Sequence, residues 1–301
     1  MCMVGVAVLL VATSIVIAVH YNSGYSAGNT TFSDGNLYYE VISKNEVSVT
    51  DVIIASGTLI IFPRVTYDGT VYTVISIDDS AFAGHTGFTG SLIIPDSVTT
   101  IGDSAFAGCG GTEFSVDSNN LYYKSVDGLL MSKDGTTVIA CPIGKTGLLI
   151  MPDGVTTIGH DAFCNCCGFT GNLIIPDGVT TIGHDAFCNC CGFTGNLIIP
   201  DSVTTMGHDA FFNCCGFTGN LIIPDGVTTI GHDAFVGCGG TEFSVDSNNL
   251  YYKSVYGLLM SKDGTTVIAC PIGKTGLLIM PDGVIDIDDY AFLIVAGSQV
   301  I

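Results

Sequence analysis

Residues 169–192 read FTGNLIIPDGVTTIGHDAFCNCCG, and this 24-residue phrase recurs almost unchanged through the middle of the chain. Its proline recurs every 24 residues, at Pro152, Pro176, Pro200 and Pro224. Two further prolines, Pro95 and Pro281, lie 57 residues before and after this run. A fixed period of roughly 20 to 50 residues is typical of a solenoid, in which each repeat buries its apolar residues against its neighbours. We therefore expect one elongated domain, of a kind that usually binds other molecules rather than transforming them.

The apolar spacing within one repeat indicates short strands. Leu173 and Ile175 are two residues apart and share one face of a strand, which Pro176 ends because proline lacks an N–H. A second extended or turn segment follows the proline. The Asp185–Phe187 segment is expected to form a single helical or 3₁₀ turn that places Phe187 in the core. We predict a β-rich solenoid with stacked parallel strands on one face and short helical or 3₁₀ turns on the other.

The charge of the chain limits its partners. It carries 28 acidic and 8 basic side chains, for a formal net charge of −20. Such a chain should repel nucleic acid and anionic lipid headgroups and attract cations or basic partners. We expect no nucleic-acid ligand.

The N-terminal residues 1–20 are interpreted as a signal peptide or a membrane anchor, because residues 1–19 are nearly all apolar and uncharged. No Lys or Arg precedes this run, and a buried first strand is the alternative. Contact with a membrane is expected only through this segment. A glycosylation sequon follows at Asn29. We expect export to the cell surface or beyond.

The remaining chain divides into a predicted N-terminal β cap at 21–66 and a predicted solenoid at 67–301. A cap is needed because the end of a solenoid otherwise exposes its core. At the other end, the apolar residues 293–295 are expected to fold over the last coil, unless the protein is truncated or pairs there.

A 57-residue cassette occurs twice, at 92–148 and 221–277. Residues 109–155 match residues 238–284 except that Asp127 is replaced by Tyr256. The extra length predicts one more coil followed by a hairpin, with arms at 129–133 and 136–139 around an Asp-Gly turn.

These strings resemble a known family. IPDSVTTIGDSAFAGC at 94–109, IPDGVTTIGHDAF at 175–187 and the insert at 114–147 are similar to the BspA-like subclass of leucine-rich repeats. The resemblance covers roughly residues 67–301, and the N-terminal stretch resembles the cap that often precedes such repeats. It implies a secreted or surface-anchored protein that mediates adhesion and protein–protein contact, and it implies no catalytic residues.

The middle residue of the Leu-Ile-Ile strand is expected to face solvent, because alternate residues of a strand point to opposite faces. The family commonly carries a polar residue such as Thr there, whereas this chain has isoleucine. We predict an apolar partner-binding strip with a polar edge, formed by Ile150, Ile174, Ile198 and Ile222 beside Asn172, Asn196 and Asn220. A strip covered by the chain itself, and self-association through it, are the alternatives.

Thirteen cysteines occur, and three interpretations of them stay open. The cysteines that occupy the usual core position of the family are expected to be buried thiols, at Cys109, Cys166, Cys190, Cys214 and Cys238. Stacking brings equivalent cysteines of adjacent coils within disulfide range. A metal site is the third interpretation, but no zinc motif matches the spacing, so no metal is assigned; its candidate ligands are Cys164, Cys167, Cys188, Cys191, His160 and His184.

Two further columns repeat once per coil. The His-Asp pairs beginning at His160, His184, His208 and His232 are expected to belong to the scaffold rather than to an active site, because no nucleophile is uniquely placed near them. Such a histidine column predicts pH-dependent association, since imidazolium charges repel. The aspartates after the prolines suit turns, with calcium bridging as the alternative.

We therefore predict a non-enzymatic leucine-rich-repeat protein without a cofactor, at the cell surface or secreted, that recognises a protein ligand such as a host or matrix protein. The alternative is a self-assembling structural protein of a surface coat.

Overall fold

The computed structural model describes residues 30–53 and 56–293, together with the backbone of Gln299–Val300. Within these residues the chain forms strands and turns, and none of them is helical. The coils stack into a β-solenoid of about 10 turns with parallel strands, which confirms the predicted fold class. The predicted signal peptide or anchor and the sequon at Asn29 lie outside the described residues.

The strands are short, and most coils contribute two. The first nine are β1 Thr31–Ser33, β2 Leu37–Ser43, β3 Glu46–Val52, β4 Leu59–Ile60, β5 Arg64–Tyr67, β6 Thr70–Ile77, β7 Ser91–Ile94, β8 Thr100–Ile101 and β9 Glu113–Val116. The next nine are β10 Tyr123–Val126, β11 Leu129–Ser132, β12 Thr137–Ala140, β13 Thr157–Ile158, β14 Thr181–Ile182, β15 Leu197–Ile198, β16 Thr205–Met206, β17 Asn220–Ile223 and β18 Thr229–Ile230. The last seven are β19 Glu242–Val245, β20 Tyr252–Val255, β21 Leu258–Ser261, β22 Thr266–Ala269, β23 Leu277–Leu278, β24 Asp286–Ile287 and β25 Gln299–Val300.

Two parallel ladders connect the coils. The leucine ladder contains predicted Leu-Ile-Ile strands of several coils, paired as β4–β7–β9, β15–β17–β19 and β23–β25. The strand predicted at Leu173 and Ile175 is not formed, and residues 149–151 are also outside strands. Isolated parallel bridges, Gly147 with Phe169 and Gly171 with Phe193, connect these coils instead. The threonine ladder contains β12, β13, β14, β16 and β18, which pair in register through one threonine per coil. The second segment of each repeat, which the sequence left as extended or turn, is therefore a strand.

The side of the coil that holds Asp185–Phe187 differs in detail from its prediction. These residues form hydrogen-bonded turns and not a helical or 3₁₀ turn. The reason is that Asp185 has φ 52° and Asn189 has φ 60°, and a right-handed helix requires negative φ at every residue. Aspartate and asparagine tolerate this left-handed region better than most residues, so the chain turns sharply at both positions.

Phenylalanine rings fill the centre of the solenoid. Phe163, Phe187, Phe211 and Phe235 stack nearly parallel, with successive ring centroids 5.1, 5.3 and 5.6 Å apart. This separation is close to the roughly 4.8 Å between paired strands, so each ring covers the ring of the coil below. The stack continues the core from coil to coil.

Each cassette adds a hairpin to the threonine ladder. β10 pairs with β11 and β11 with β12, both antiparallel, and β12 pairs in parallel with β13. The predicted arms at 129–133 and 136–139 thus correspond to β11 and β12. The second cassette repeats this arrangement with β20, β21, β22 and β24.

The N-terminal strands form a mixed sheet in the order β1-β2-β3-β6-β5, and β8 of the solenoid pairs with β6. β4 lies inside the predicted cap region but pairs with β7 of the leucine ladder. The mixed sheet is therefore bonded to the first coils through β6, and the predicted cap region is bonded to them through β4. The boundary at residue 66 stays a prediction.

Candidate functional site

The isoleucine stripe, formed by Ile150, Ile174, Ile198 and Ile222, lies on the outer side of the leucine ladder. Ile150 is 74% exposed, Ile174 68% and Ile198 51%, while Ile222 is half-buried. The leucine before each isoleucine is buried, and β15 pairs with β17 so that Ile198 lies directly beside Ile222. The alternation predicted from the sequence therefore brings these four side chains to one outer surface.

Leu148 extends the stripe and was missed by the sequence interpretation. It is 69% exposed and stands where the neighbouring coils have Asn172 and Asn196. The signal was present, because this coil reads LLIMP where the others read NLIIP. The second cassette repeats it with Leu277, which is 54% exposed.

The asparagines at the edge of the stripe partly serve the scaffold. Asn172 and Asn196 are exposed and Asn220 is half-buried. The side-chain oxygen of Asn196 accepts a hydrogen bond of 2.8 Å from the backbone N–H of Asn220, and Asn220 Nδ2 donates to Glu242 Oε1 at 3.2 Å. Asn196 and Asn220 thus connect neighbouring coils as well as lining the stripe.

The histidine column forms a hydrogen-bonded ladder on the surface. His160, His184 and His208 each accept a bond at Nδ1 from the backbone N–H of the next histidine, at 3.0 Å. Their rings stack with centroids 4.7 to 5.3 Å apart. An accepting Nδ1 carries no proton, so this ladder holds the coils together only while the rings are neutral.

Stability should therefore fall as His184 becomes protonated. Partial desolvation, followed by repulsion from His160 and His208, lowers the pKa of His184 below 6.5, although Asp161 and Asp209 oppose the shift. Because the folded state binds this proton more weakly than the unfolded state, the stabilising contribution of neutral His184 is complete above the unfolded pKa. It is lost as pH falls from there through the lower folded pKa. We expect a lower Tm at about pH 5.5 than at about pH 7.5.

A His184→Gln variant provides the control for this pH effect. Glutamine keeps an acceptor oxygen but does not titrate, so the change in Tm with pH should be smaller in the variant. Melting curves of the two proteins, followed by circular dichroism over the same pH range, measure the difference. An identical pH dependence would contradict the role of the ladder.

Ten of the cysteines fall into three columns, and the buried Cys141 and Cys270 lie outside them. The core column is buried as predicted and contains Cys109, Cys166, Cys190, Cys214 and Cys238. Burial raises the pKa of Cys109 to about 12, so these thiols stay protonated. A second column contains Cys167, Cys191 and Cys215, which are exposed or half-buried, and a third contains Cys164, half-buried, and Cys188, buried.

The candidate metal ligands are not gathered into a metal-binding group. In residues 30–53 and 56–293, no three His, Cys, Asp or Glu side chains are placed to hold a metal ion together. The same part of the chain has no helix with the length and apolar character needed to span a bilayer.

Comparison with known proteins agrees with this architecture. The family model described as BspA type leucine rich repeat region matches six copies at residues 70–125 and 145–255, which is more than half of the chain. Among curated proteins, no relative matches the chain.

Several solved structures are similar. A leucine rich cell surface protein from Faecalibacterium prausnitzii is 23% identical, with a TM-score of 0.50 over 92% of this chain and 72% of that one. A leucine-rich repeat protein from Bacteroides ovatus is 20% identical, with a TM-score of 0.42 over 88% and 80%. The pneumococcal vaccine antigen PcpA is 19% identical, with a TM-score of 0.44 over 89% of this chain and 62% of that one. With the repeat match and the stacked coils, the chain belongs to the BspA type leucine-rich repeat family.

Proposed function

We propose that this chain is a non-enzymatic protein of the cell surface or the extracellular space, and that it recognises another protein through the isoleucine stripe. The supporting observation is the exposure of Ile150, Ile174 and Ile198 in one row. A contiguous apolar strip with a polar edge is typical of an interaction surface, because leaving such side chains in water is unfavourable.

The surface location is supported by the family and by the similarity to a cell surface protein from Faecalibacterium prausnitzii. The net charge of −20 favours a partner that presents basic groups around an apolar contact. The asparagines beside the stripe supply polar groups at its edge, and interfaces commonly surround their apolar centre in this way.

The test is a double substitution in the stripe. Ile174→Thr and Ile198→Thr together should weaken binding to a ligand identified from a panel of purified extracellular-matrix proteins by at least about tenfold, because central apolar contacts dominate interface energies. Threonine suits strands, and both side chains are exposed, so the Tm should change little. Affinity is measured by surface plasmon resonance on the full chain.

A matched control changes exposed residues on another side of the same coils. Thr180→Ser and Thr204→Ser lie next to the threonine ladder and should leave the affinity unchanged. If the isoleucine variant binds as tightly as the wild type, the stripe is not the binding surface.

Self-assembly is a second candidate function, favoured by the last described coil. Ile285 is 83% exposed, Tyr290 62% and Ile287 46%. Ile287 belongs to β24, which ends its sheet, and an edge strand offers N–H and C=O groups to another chain. Light scattering at several concentrations separates the two candidate functions. If the particle size grows with protein concentration and Ile174→Thr abolishes this growth, a second copy of the chain is the partner of the stripe.

A further inference from the structure

Cys164 and Cys188 occupy the same position in two successive coils. The neighbouring coils carry other residues there, Ala107 before the pair and Phe212 after it. The column therefore contains two adjacent cysteines flanked by residues that cannot form disulfides, which defines one pairing within it.

The backbone around this pair is close enough for a disulfide. The N–H of Phe163 donates to the carbonyl of Ala186, and the N–H of Asn165 donates to the carbonyl of Cys188, both at 2.8 Å. These bonds lie beside the two cysteines and hold the two coils at roughly the 4.8 Å separation of paired strands. Disulfides require a Cα separation of roughly 4.4 to 6.8 Å, and a separation of about 4.8 Å lies within this range.

The side chains of Cys164 and Cys188 interact and differ in role. A hydrogen bond joins the two side chains, and Asn165 Nδ2 donates to the Cys164 sulfur at 3.3 Å. The bond with Cys188 lowers the pKa of Cys164, against desolvation and the charges of Asp161 and Asp185. The same contact and burial raise the pKa of Cys188. Cys164 is thus the more readily ionised thiol, and it is also the more exposed of the two.

Other thiols nearby donate hydrogen bonds to backbone carbonyls. Cys190 and Cys214 are fully buried and donate to backbone carbonyls at 3.0 and 2.9 Å. Cys167 and Cys191 donate to the carbonyls of Asn189 and Asn213, at 2.8 and 3.0 Å. A thiol that donates in this way loses its hydrogen bond when it ionises, so it is less available as a nucleophile.

We propose that Cys164 and Cys188 form an inter-coil disulfide by exchange with a low-molecular-weight disulfide. The Cys164 thiolate attacks one sulfur of the donor, whose S–S bond breaks and releases one donor thiol after protonation. Cys188 then loses its proton, attacks the Cys164 sulfur and expels the second donor thiol. The two cysteines lose two electrons and two protons in all, and the donor disulfide is reduced to two thiols.

Oxidised glutathione is the probe for this reaction on the reduced full chain. The sample is quenched with acid and alkylated. A protease that cleaves on the N-terminal side of aspartate then releases residues 161–176 and 185–200. These peptides have the same sequence, DAFCNCCGFTGNLIIP, so the disulfide joins two copies of one peptide. We expect them to be joined through the first cysteine of each, in monomeric protein, with the loss of two alkylatable thiols. Fragmentation in the mass spectrometer identifies the cysteine.

Two variants test the order of the steps. Cys188→Ala should leave Cys164 as a stable mixed disulfide with glutathione, whereas Cys164→Ala should leave Cys188 unmodified because it is buried. Alanine is compatible with the column, since Ala107 stands there in an earlier coil. Cys167→Ser is the control and should leave the Cys164–Cys188 bond unchanged.

Two results of the same experiment on the wild-type protein would overturn the proposal. A bond through the third cysteine of each peptide would assign the reaction to Cys167 and Cys191. A persistent glutathione adduct on the first cysteine of these peptides in the wild type would show that the second cysteine of the pair does not complete the exchange. Oxidation should raise the Tm of the wild type and not that of Cys188→Ala, because a bond between coils restricts the unfolded chain.

Discussion

Substitution of Gly192 by alanine should lower the free energy of unfolding by about 3 kcal/mol, because the added methyl group meets the backbone of the preceding coil. A Cβ atom at Gly192 would lie 1.9 Å from the carbonyl oxygen of Phe169 and 2.6 Å from that of Cys167. Both oxygens belong to backbone, so no side chain can rotate away. The coils would have to separate at this edge, which weakens the contacts on both sides of it.

Equilibrium denaturation in urea, followed by circular dichroism, measures this effect. Gly178→Ser is the matched control, since Ser202 stands at the same position one coil later and the nearest atom to a Cβ at Gly178 is 3.2 Å away. The control should change stability little. If Gly192→Ala unfolds at the same urea concentration as the control, the close approach of the coils is not needed for stability.

Removal of the Asn120 side chain should be almost as damaging, with a loss of about 3 kcal/mol, since each unsatisfied buried polar group costs about 1–3 kcal/mol. Asn120 is fully buried. Its Nδ2 donates to the carbonyls of Pro95 and Val98 at 2.9 Å. Its Oδ1 accepts from the N–H groups of Tyr122 and Tyr123 at 2.8 Å. One side chain thus connects two successive coils within the cassette.

The second cassette supplies an internal replicate. Asn249 is also fully buried and donates to Pro224 and Val227 at 2.8 and 3.0 Å. Asn249→Ala should therefore cost about as much as Asn120→Ala, while Asn119→Ala, at an exposed position, should cost less than about 0.5 kcal/mol. The changes are measured by urea denaturation of each variant, and a small loss in both buried variants would contradict the anchoring role.

The repeat period was sufficient to predict the stacked coils and the outward isoleucines. In β17, Leu221 and Ile223 are buried and Ile222 between them is half-buried, because the pleat of a strand determines the direction of alternate side chains. The threonine ladder was not predicted as strand, since two residues per coil, such as Thr181–Ile182, are too few to show an alternation. Its strands exist because neighbouring coils pair with them.

The remaining features depend on contacts between coils that a linear pattern does not contain. The left-handed φ of Asp185 excludes the predicted helical turn. Aspartate is common both at helical turns and at left-handed turn positions, so the residue type did not distinguish them. Likewise, the sequence aligned Cys164 with Cys188 but could not tell that the hydrogen bond between them lowers the pKa of Cys164. That distinction follows from side-chain rotamers and burial, which tertiary packing determines.

The near-equal spacing of the phenylalanine stack has an evolutionary consequence. Phe163 contacts Phe187 much as Phe187 contacts Phe211, at 5.1 and 5.3 Å. Deletion of residues 169–192 as one unit would join Gly168 to Phe193 and recreate the same junction, since both coils begin with the same Phe-Thr-Gly sequence. Unequal recombination can therefore shorten or lengthen this protein by whole coils without a new packing problem, so the length of its outer surface can change in steps while each contact stays the same.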